Sequence, residues 1–352
     1  MNTITNNIMW LQIFATNSEA GGANGTVTSG SVGSGVANTD LSPAMKEWYD
    51  KYIIEKAGPE LVHDQLAVKV PLPKNKGKTV EFHEFTSYPK TDGPLKEGVT
   101  PLGRNMEMTA ITSTIEQYGD YTKITDMLDM TAIDPIIAQA TKAHGRQAGL
   151  TLDTVTRNVL NSGTRVMFCQ EDGSLNSVKQ RKDLTKNCKL TVQTIQQAVT
   201  AFESDNVPKI NGDYVAYIHP KAKYELIRDP EWIDAHKYAN PENIYNNEIG
   251  KVAGVRFIQS SEAKIFAGTD LEPEGLAVFS TILLGADAYG VTELEGGGLE
   301  VIVKPRGAGD DPLNQRSTVG WKATKTAEIL IQDYIMRIES CSPTYSENTV
   351  AN

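Results

Sequence analysis

The sequence predicts an α+β fold from three stretches: a helical stripe over residues 135–161, an alternating strand over residues 319–331, and an extended two-stranded excursion over residues 65–118. With 352 residues the chain has room for about two compact units and a sizeable core.

In chain order, the first segment is an arm. Residues 17–40 are almost entirely Gly, Ser, Asn, Thr, Ala and Val, which order poorly unless another surface holds them. Ahead of them stand Trp10, Leu11, Ile13 and Phe14, expected to dock on a neighbouring subunit; the composition alone fits a disordered tail equally well. The glycines of Gly30–Gly35 follow no strand and have the wrong order for a dinucleotide fingerprint. Ser42-Pro43 supplies an N-cap and a first-turn proline for a short helix carrying Trp48, Tyr49, Tyr52 and Ile53, which runs to Gly58.

From Val68 the pattern is that of strands, with Lys74–Lys78 as a turn and Val80 and Phe82 alternating against Glu81 and His83. Residues 86–105 hold Pro89, Pro94, Pro101, Gly93, Gly98 and Gly103 among charged residues, and such a loop has no core of its own. It is expected to lie on a partner, with Lys90, Lys96 and Arg104 facing acidic groups there. The chain returns through Ile111, Ser113, Ile115 and Gln117. An isolated hairpin of this length is marginal in water, which also asks for a neighbour.

Asp134-Pro135 opens the long helix, with Ile136, Ile137, Ala140, Ala143, Ala148, Leu152, Val155 and Val159 on its stripe and Asn161-Ser162-Gly163 as its stop. About 27 residues at 1.5 Å each give a rod of about 40 Å. Gly145 and Gly149 weaken it, so packing must hold it. Residues 190–305 then mix a helix from Thr191 to Glu203, a buried strand Tyr214–Ile218 and a helix from Pro220, a second α+β unit. The final strand places Val319, Trp321, Ala323, Ala327 and Ile329 on one face, with Tyr334–Ile338 as its continuation. Trp321 is expected to pack on the long helix.

Charge and cysteine usage narrow the function. Lys+Arg 34 against Asp+Glu 44 gives a net charge of −10, which argues against a duplex-DNA reader with a concentrated basic face. Cys169, Cys188 and Cys341 form no C-x-x-C pair, so reduced thiols in a cytoplasmic protein are expected. No basic residue precedes Lys46 to make a secretory n-region, and no run of about 18 apolar residues suggests a membrane span. A soluble protein without a membrane partner is expected.

No catalytic constellation is legible. The five histidines show no i,i+4 pair, and Walker, G-x-S-x-G and kinase motifs are missing. His219 reads as a capping group before Pro220, and His144 as a polar position on the long helix. Asp310-Asp311 reads as a solvated turn rather than a cation loop. Lys179, Arg181, Lys182, Lys186 and Lys189 read as a solvated face, since no aromatics interleave. No catalytic residue, cofactor or metal is expected.

Four strings carry a resemblance: Tyr118–Tyr121, Leu128–Pro135, Ile249–Phe257 and Asp311–Lys322, the last reading DPLNQRSTVGWK. They resemble the major capsid proteins of tailed phages, the family typified by coliphage N-four, from about residue 41 to 340. The resemblance implies the Hong Kong 97-type capsid fold. Residues 1–64 would be the N-terminal arm, 65–118 the E-loop and 135–161 the spine helix. Residues 119–189 and 306–345 would form the peripheral domain and 190–305 the axial domain. It further implies self-assembly in hexamers and pentamers into an icosahedral shell around the double-stranded DNA genome, which is enclosed without being read. Decoration, scaffolding and portal proteins are the other partners it brings in, and virion and host cytoplasm the locations. Two alternatives stay open: a cargo-enclosing nanocompartment shell, and a metal-dependent hydrolase, which would need a convergent acidic or histidine cluster.

Overall fold

The computed structural model describes residues 26–27, 61–72, 78–85, single positions and short stretches between 88 and 106, 108–131, 136–171, 178–239, 250–267, 273, 275–294, 299–307 and 311–352. Trp10, Leu11, Ile13, Phe14, Lys96, the expected helix after Ser42-Pro43 and most of the Lys74–Lys78 turn lie outside them.

Strands β1 (Thr26–Val27), β2 (Val68–Leu72), β3 (Thr79–Phe85), β4 (Met108–Thr114) and β5 (Glu116–Thr125) lead into the short helix α1 (Asp126–Thr131) and the long helix α2 (Ile136–Leu160). After β6 (Val166–Phe168) come α3 (Val192–Ser204), β7 (Tyr214–Ile218), α4 (Pro220–Ile227), α5 (Pro230–Ala239), β8 (Lys251–Val252), β9 (Val255–Gln259), β10 (Ile265–Phe266) and β11 (Val278–Leu284). The remaining strands are β12 (Tyr289–Leu294), β13 (Leu299–Lys304), β14 (Arg316–Lys325), β15 (Ala327–Ile329) and β16 (Ile335–Ser340).

Helix α2 spans about 38 Å at 1.5 Å per residue. Its buried stripe is rotated from the apolar one read in the sequence. Ala148, Leu152 and Leu160 are buried, but Thr141, His144, Asp153, Thr156 and Arg157 share that face, while Ala143 is exposed. The polar members are tolerated because they are hydrogen-bonded, as burial demands. Gly145 and Gly149 lie on the same buried face, and Asn161 closes the helix by donating Nδ2 to Arg157 O at 2.7 Å.

A four-stranded sheet in the order β1-β5-β14-β13 packs on this helix. Trp321 and Ala323 of β14 meet Ala148 and Leu152 of α2, as expected for the indole. A seven-stranded sheet in the order β6-β16-β11-β7-β9-β8, with β10 beside β11, carries the largest core, including Tyr214, Phe202, Trp232 and Phe279. β7 and β11 are buried at every position, the mark of a sheet covered on both faces. His219 caps α4 through its ring as expected, and Thr191, read as the first residue of a helix, is the N-cap of α3. A three-stranded sheet, β15-β12-β2, and the two-stranded hairpin β3-β4 complete the fold.

Several expectations need correction at the level of sheets. The two-stranded excursion expected over residues 65–118 is shorter, because β2 pairs in parallel with β12 and only β3 pairs with the returning β4. The final strand is not continuous: the chain turns at Thr326, and β14, β15 and β16 enter three different sheets. The sheet expected from residues 190–305 takes in β6 and β16 from outside that range and gives up β12 and β13, so the segments 119–189, 306–345 and 190–305 do not coincide with sheet membership. The alternation of residues 319–331 is real, but period two reports burial and is blind to which neighbour supplies the ladder.

Candidate assembly interface

The β3–β4 hairpin is docked at its root and exposed at its far end. Val80, Phe82 and Ser113 turn inward and are buried. Ser113 Oγ lies 2.6 Å from Thr326 Oγ1. Glu81, His83, Thr109, Ala110 and Thr112 face solvent. Beyond them Tyr88, Met106 and Met108 are 54, 63 and 54 % exposed, and Lys90 and Arg104 are exposed as well. Sequence reasoning selected the cations and passed over the methionines. The available signal was two methionines in a segment with no core to bury them.

The hairpin is led in by Val62–Asp64, where backbone and side chains are bonded to α2 and to three strands. His63 N and Nδ1 lie 2.8 and 2.7 Å from the two Asp153 oxygens. Asp64 accepts from the Thr156 hydroxyl at 2.6 Å and from Lys325 Nζ at 2.5 Å. Lys325 Nζ also donates to Leu152 O at 2.8 Å. Tyr217 donates to Val62 O at 3.0 Å, and Tyr289 donates to His63 O. Burial pushes Lys325 below the ordinary lysine value, with Asp64 opposing that shift, and burial raises the phenols of Tyr217 and Tyr289. Periodicity could not find this cluster, because its members are far apart in the chain and polar on apolar faces.

An open groove of about 590 Å³ runs between α2 and β5, lined by Ile124, Leu128, Ile136, Ala140 and Ala143, with Asp120, Thr122, His144 and Gln147 among its polar groups. Four of its polar groups are linked together: Gln147 donates to Asp120 at 2.6 Å and accepts from Trp321 Nε1 at 3.3 Å, and His144 bonds Gln147 and Thr122 at 3.1 and 3.0 Å. His144, expected as a polar position on the long helix, is a buried linking group there. The Gln147 amide, helped by Tyr121 N, holds the exposed Asp120 carboxyl below its usual range, so the groove carries an anion. Nearby, burial followed by Glu116 pushes the Tyr118 phenol up to about 12.

The basic run also needs correction at one member. Arg181 is not part of a solvated face: it forks onto the buried carboxylate of Glu339 at 2.7 and 2.5 Å and stacks 3.9 Å from the Phe266 ring centroid. All three cysteines are free and buried, and burial raises the Cys341 thiol to about 12. Asp311 accepts from Arg316 N at 2.7 Å, which makes its surroundings a turn. Among the described residues no group of three or more His, Cys, Asp or Glu is placed to hold a metal, and no helix is long and apolar enough to cross a membrane.

This arrangement, a long helix under a β-sheet, a projecting hairpin and a second buried sheet, is the Hong Kong 97-type capsid fold. It is shared with the capsid of cyanophage P-SCSP1u (TM-score 0.61, 14 % identity, 80 % of this chain and 88 % of that one). It is shared also with the mature capsid of bacteriophage PhiM1 (0.59, 13 %, 89 % and 90 %) and the capsid of cyanophage Pam1 (0.59, 14 %, 93 % and 100 %). No curated protein matches the sequence. The profile described as phage capsid protein matches residues 109–335, more than half of the chain, and the chain belongs to that family. Its function is structural, that of a major capsid shell protein.

Proposed function

We propose that the chain assembles with itself in hexamers and pentamers into an icosahedral shell around double-stranded DNA, with the β3–β4 hairpin of one subunit laid on the next. The supporting observation is complementarity between two exposed surfaces of one chain. The hairpin end presents Tyr88, Met106 and Met108 beside Lys90 and Arg104, and the α2–β5 groove presents an apolar floor beside the Asp120 carboxylate. An apolar centre inside a charged rim is the composition of a protein interface. Lys96 belongs to the same cationic loop, and Trp10, Leu11, Ile13 and Phe14 would add a lateral contact from the arm.

The helix α2 with the four-stranded sheet corresponds to the peripheral domain, and the seven-stranded sheet to the axial domain. The net charge of −10 suits a wall that repels phosphate, so that the genome is confined without being bound. Assembly takes place in the host cytoplasm with scaffolding, decoration or portal proteins as further partners, and the subunit acts without cofactor or catalysis. Light scattering and negative-stain electron microscopy of the expressed protein test this: capsomers or closed particles are expected, and a monomer at every concentration, with and without virion partners, overturns it.

A further inference from the structure

Val62, His63 and Asp64 are tied at once to the long helix and to all three larger sheets. Tyr217 on β7 holds Val62 O, Tyr289 on β12 holds His63 O, and Lys325 at the end of β14 holds the Asp64 carboxylate. Asp153 and Thr156 on α2 hold His63 and Asp64. Those strands belong to the seven-, three- and four-stranded sheets respectively. Four residues after Asp64 the chain enters β2, and β3 follows. We infer that Val62–Asp64 is a positioning junction, whose bonds to Asp153 and Lys325 set the direction in which the hairpin leaves the subunit. The inference rests on the reading that the hairpin lies on an adjacent subunit, and it names the residues that aim it there.

Two observations separate aiming from simple stabilisation. Buried ion pairs contribute little net stability compared with apolar groups of the same shape, because desolvation offsets their attraction, whereas their geometry is demanding. His63 Nε2 is also buried with no partner, so the site carries an unsatisfied nitrogen while Nδ1 is held to Asp153. Neither feature is a strong choice for stability, and it is the demanding geometry of the bonds to Asp153 and Lys325 that fixes an angle. The angle matters because the hairpin is a lever. Past the docked Phe82, β3 runs three more residues, about 10 Å at 3.4 Å per residue, so a tilt of about 10° there already moves its end by about 2 Å.

The test uses the full chain with spin labels at Thr109→Cys on β4 and Lys142→Cys on α2, both exposed positions, while the native cysteines are buried. One narrow distance distribution is expected in this labelled background. Adding Asp64→Asn with Lys325→Met removes both charges and leaves an amide oxygen for Thr156; loss of the narrow peak, an unchanged thermal midpoint and fewer regular particles are expected. A narrow peak retained in that variant overturns the inference, and so does a peak that broadens only in step with a falling midpoint, which is what a purely structural pair would do. If the double variant is insoluble, Thr156→Val decides the matter by the same two readouts. Failure of the unlabelled chain to form particles, with the peak still lost in the labelled variant, would overturn the hairpin contact and leave the junction standing.

Discussion

Gly290 makes room for Phe82. A Cβ on residue 290 would stand 2.7 Å from Phe82 Cε1, and the ring occupies that space at the root of the hairpin. The absence of one side chain on β12 thus seats the hairpin on the body of the subunit.

Gly290→Ala should therefore displace the ring and destabilise the subunit by about 1–3 kcal/mol, the usual cost of overpacking. Chemical denaturation measures it, and Phe82→Leu in the same chain should recover part of the loss. Additive losses in the double variant would show that the two positions are not coupled.

Trp321→Ala should yield insoluble or unfolded protein. The indole is 3 % exposed, packs on Ala148 and Leu152, and donates to Gln147, and truncating a buried Trp costs about 3–5 kcal/mol. Folded subunits that fail only at assembly would place the residue at an intersubunit contact instead.

His219 predicts an acid limit. Its Nδ1 accepts from Lys221 N as the cap of α4, and burial, reinforced by the charge of Lys221, lowers its pKa from 6.5 to about 4. A base with a depressed folded pKa contributes stability that is complete above the unfolded value and is lost as pH falls through the folded one. Stability should decline between about pH 6.5 and 4, and His219→Asn, which keeps a capping oxygen without titrating, should flatten that decline. Parallel pH profiles for the two proteins would remove His219 from the account.

Reversing Lys90, Lys96 and Arg104 together should lower particle yield, with the greatest effect at low salt, because exposed charges are screened over about 10 Å at 0.1 M. Assembly followed by light scattering at two salt concentrations reads this directly. Equal yields at low salt would show that the loop makes no ionic contact.

Elements marked by a simple period were legible in extent: α2, α3, β7, strands β3 and β4 and the inward face of β14 lie where spacing put them, although the buried face of α2 does not follow its apolar stripe. The Pro220 start and its His219 cap were legible for the same reason, as local backbone chemistry. What spacing could not supply was partnership. Lys325 falls on the inward face of β14, yet no period says that a lysine there is paired with Asp64, or that Asp153 receives His63 from 90 residues away. The proposed interface was half legible: cations in a loop without a core pointed outward, but the groove proposed to receive them is formed by β5 and α2 only after the sheet closes on the helix.

The place of β16 has a consequence for synthesis. Residues 335–340 lie between β6 and β11, and β6 joins the seven-stranded sheet through β16 alone. Until those residues leave the ribosome, β11 presents an unpaired apolar edge and β6 has nowhere to go. Such long-range pairing is slow and exposes aggregation-prone surface while it waits. The nascent subunit therefore carries that exposed edge from the making of β11 until that of β16, and the seven-stranded sheet closes only when its last strand is made.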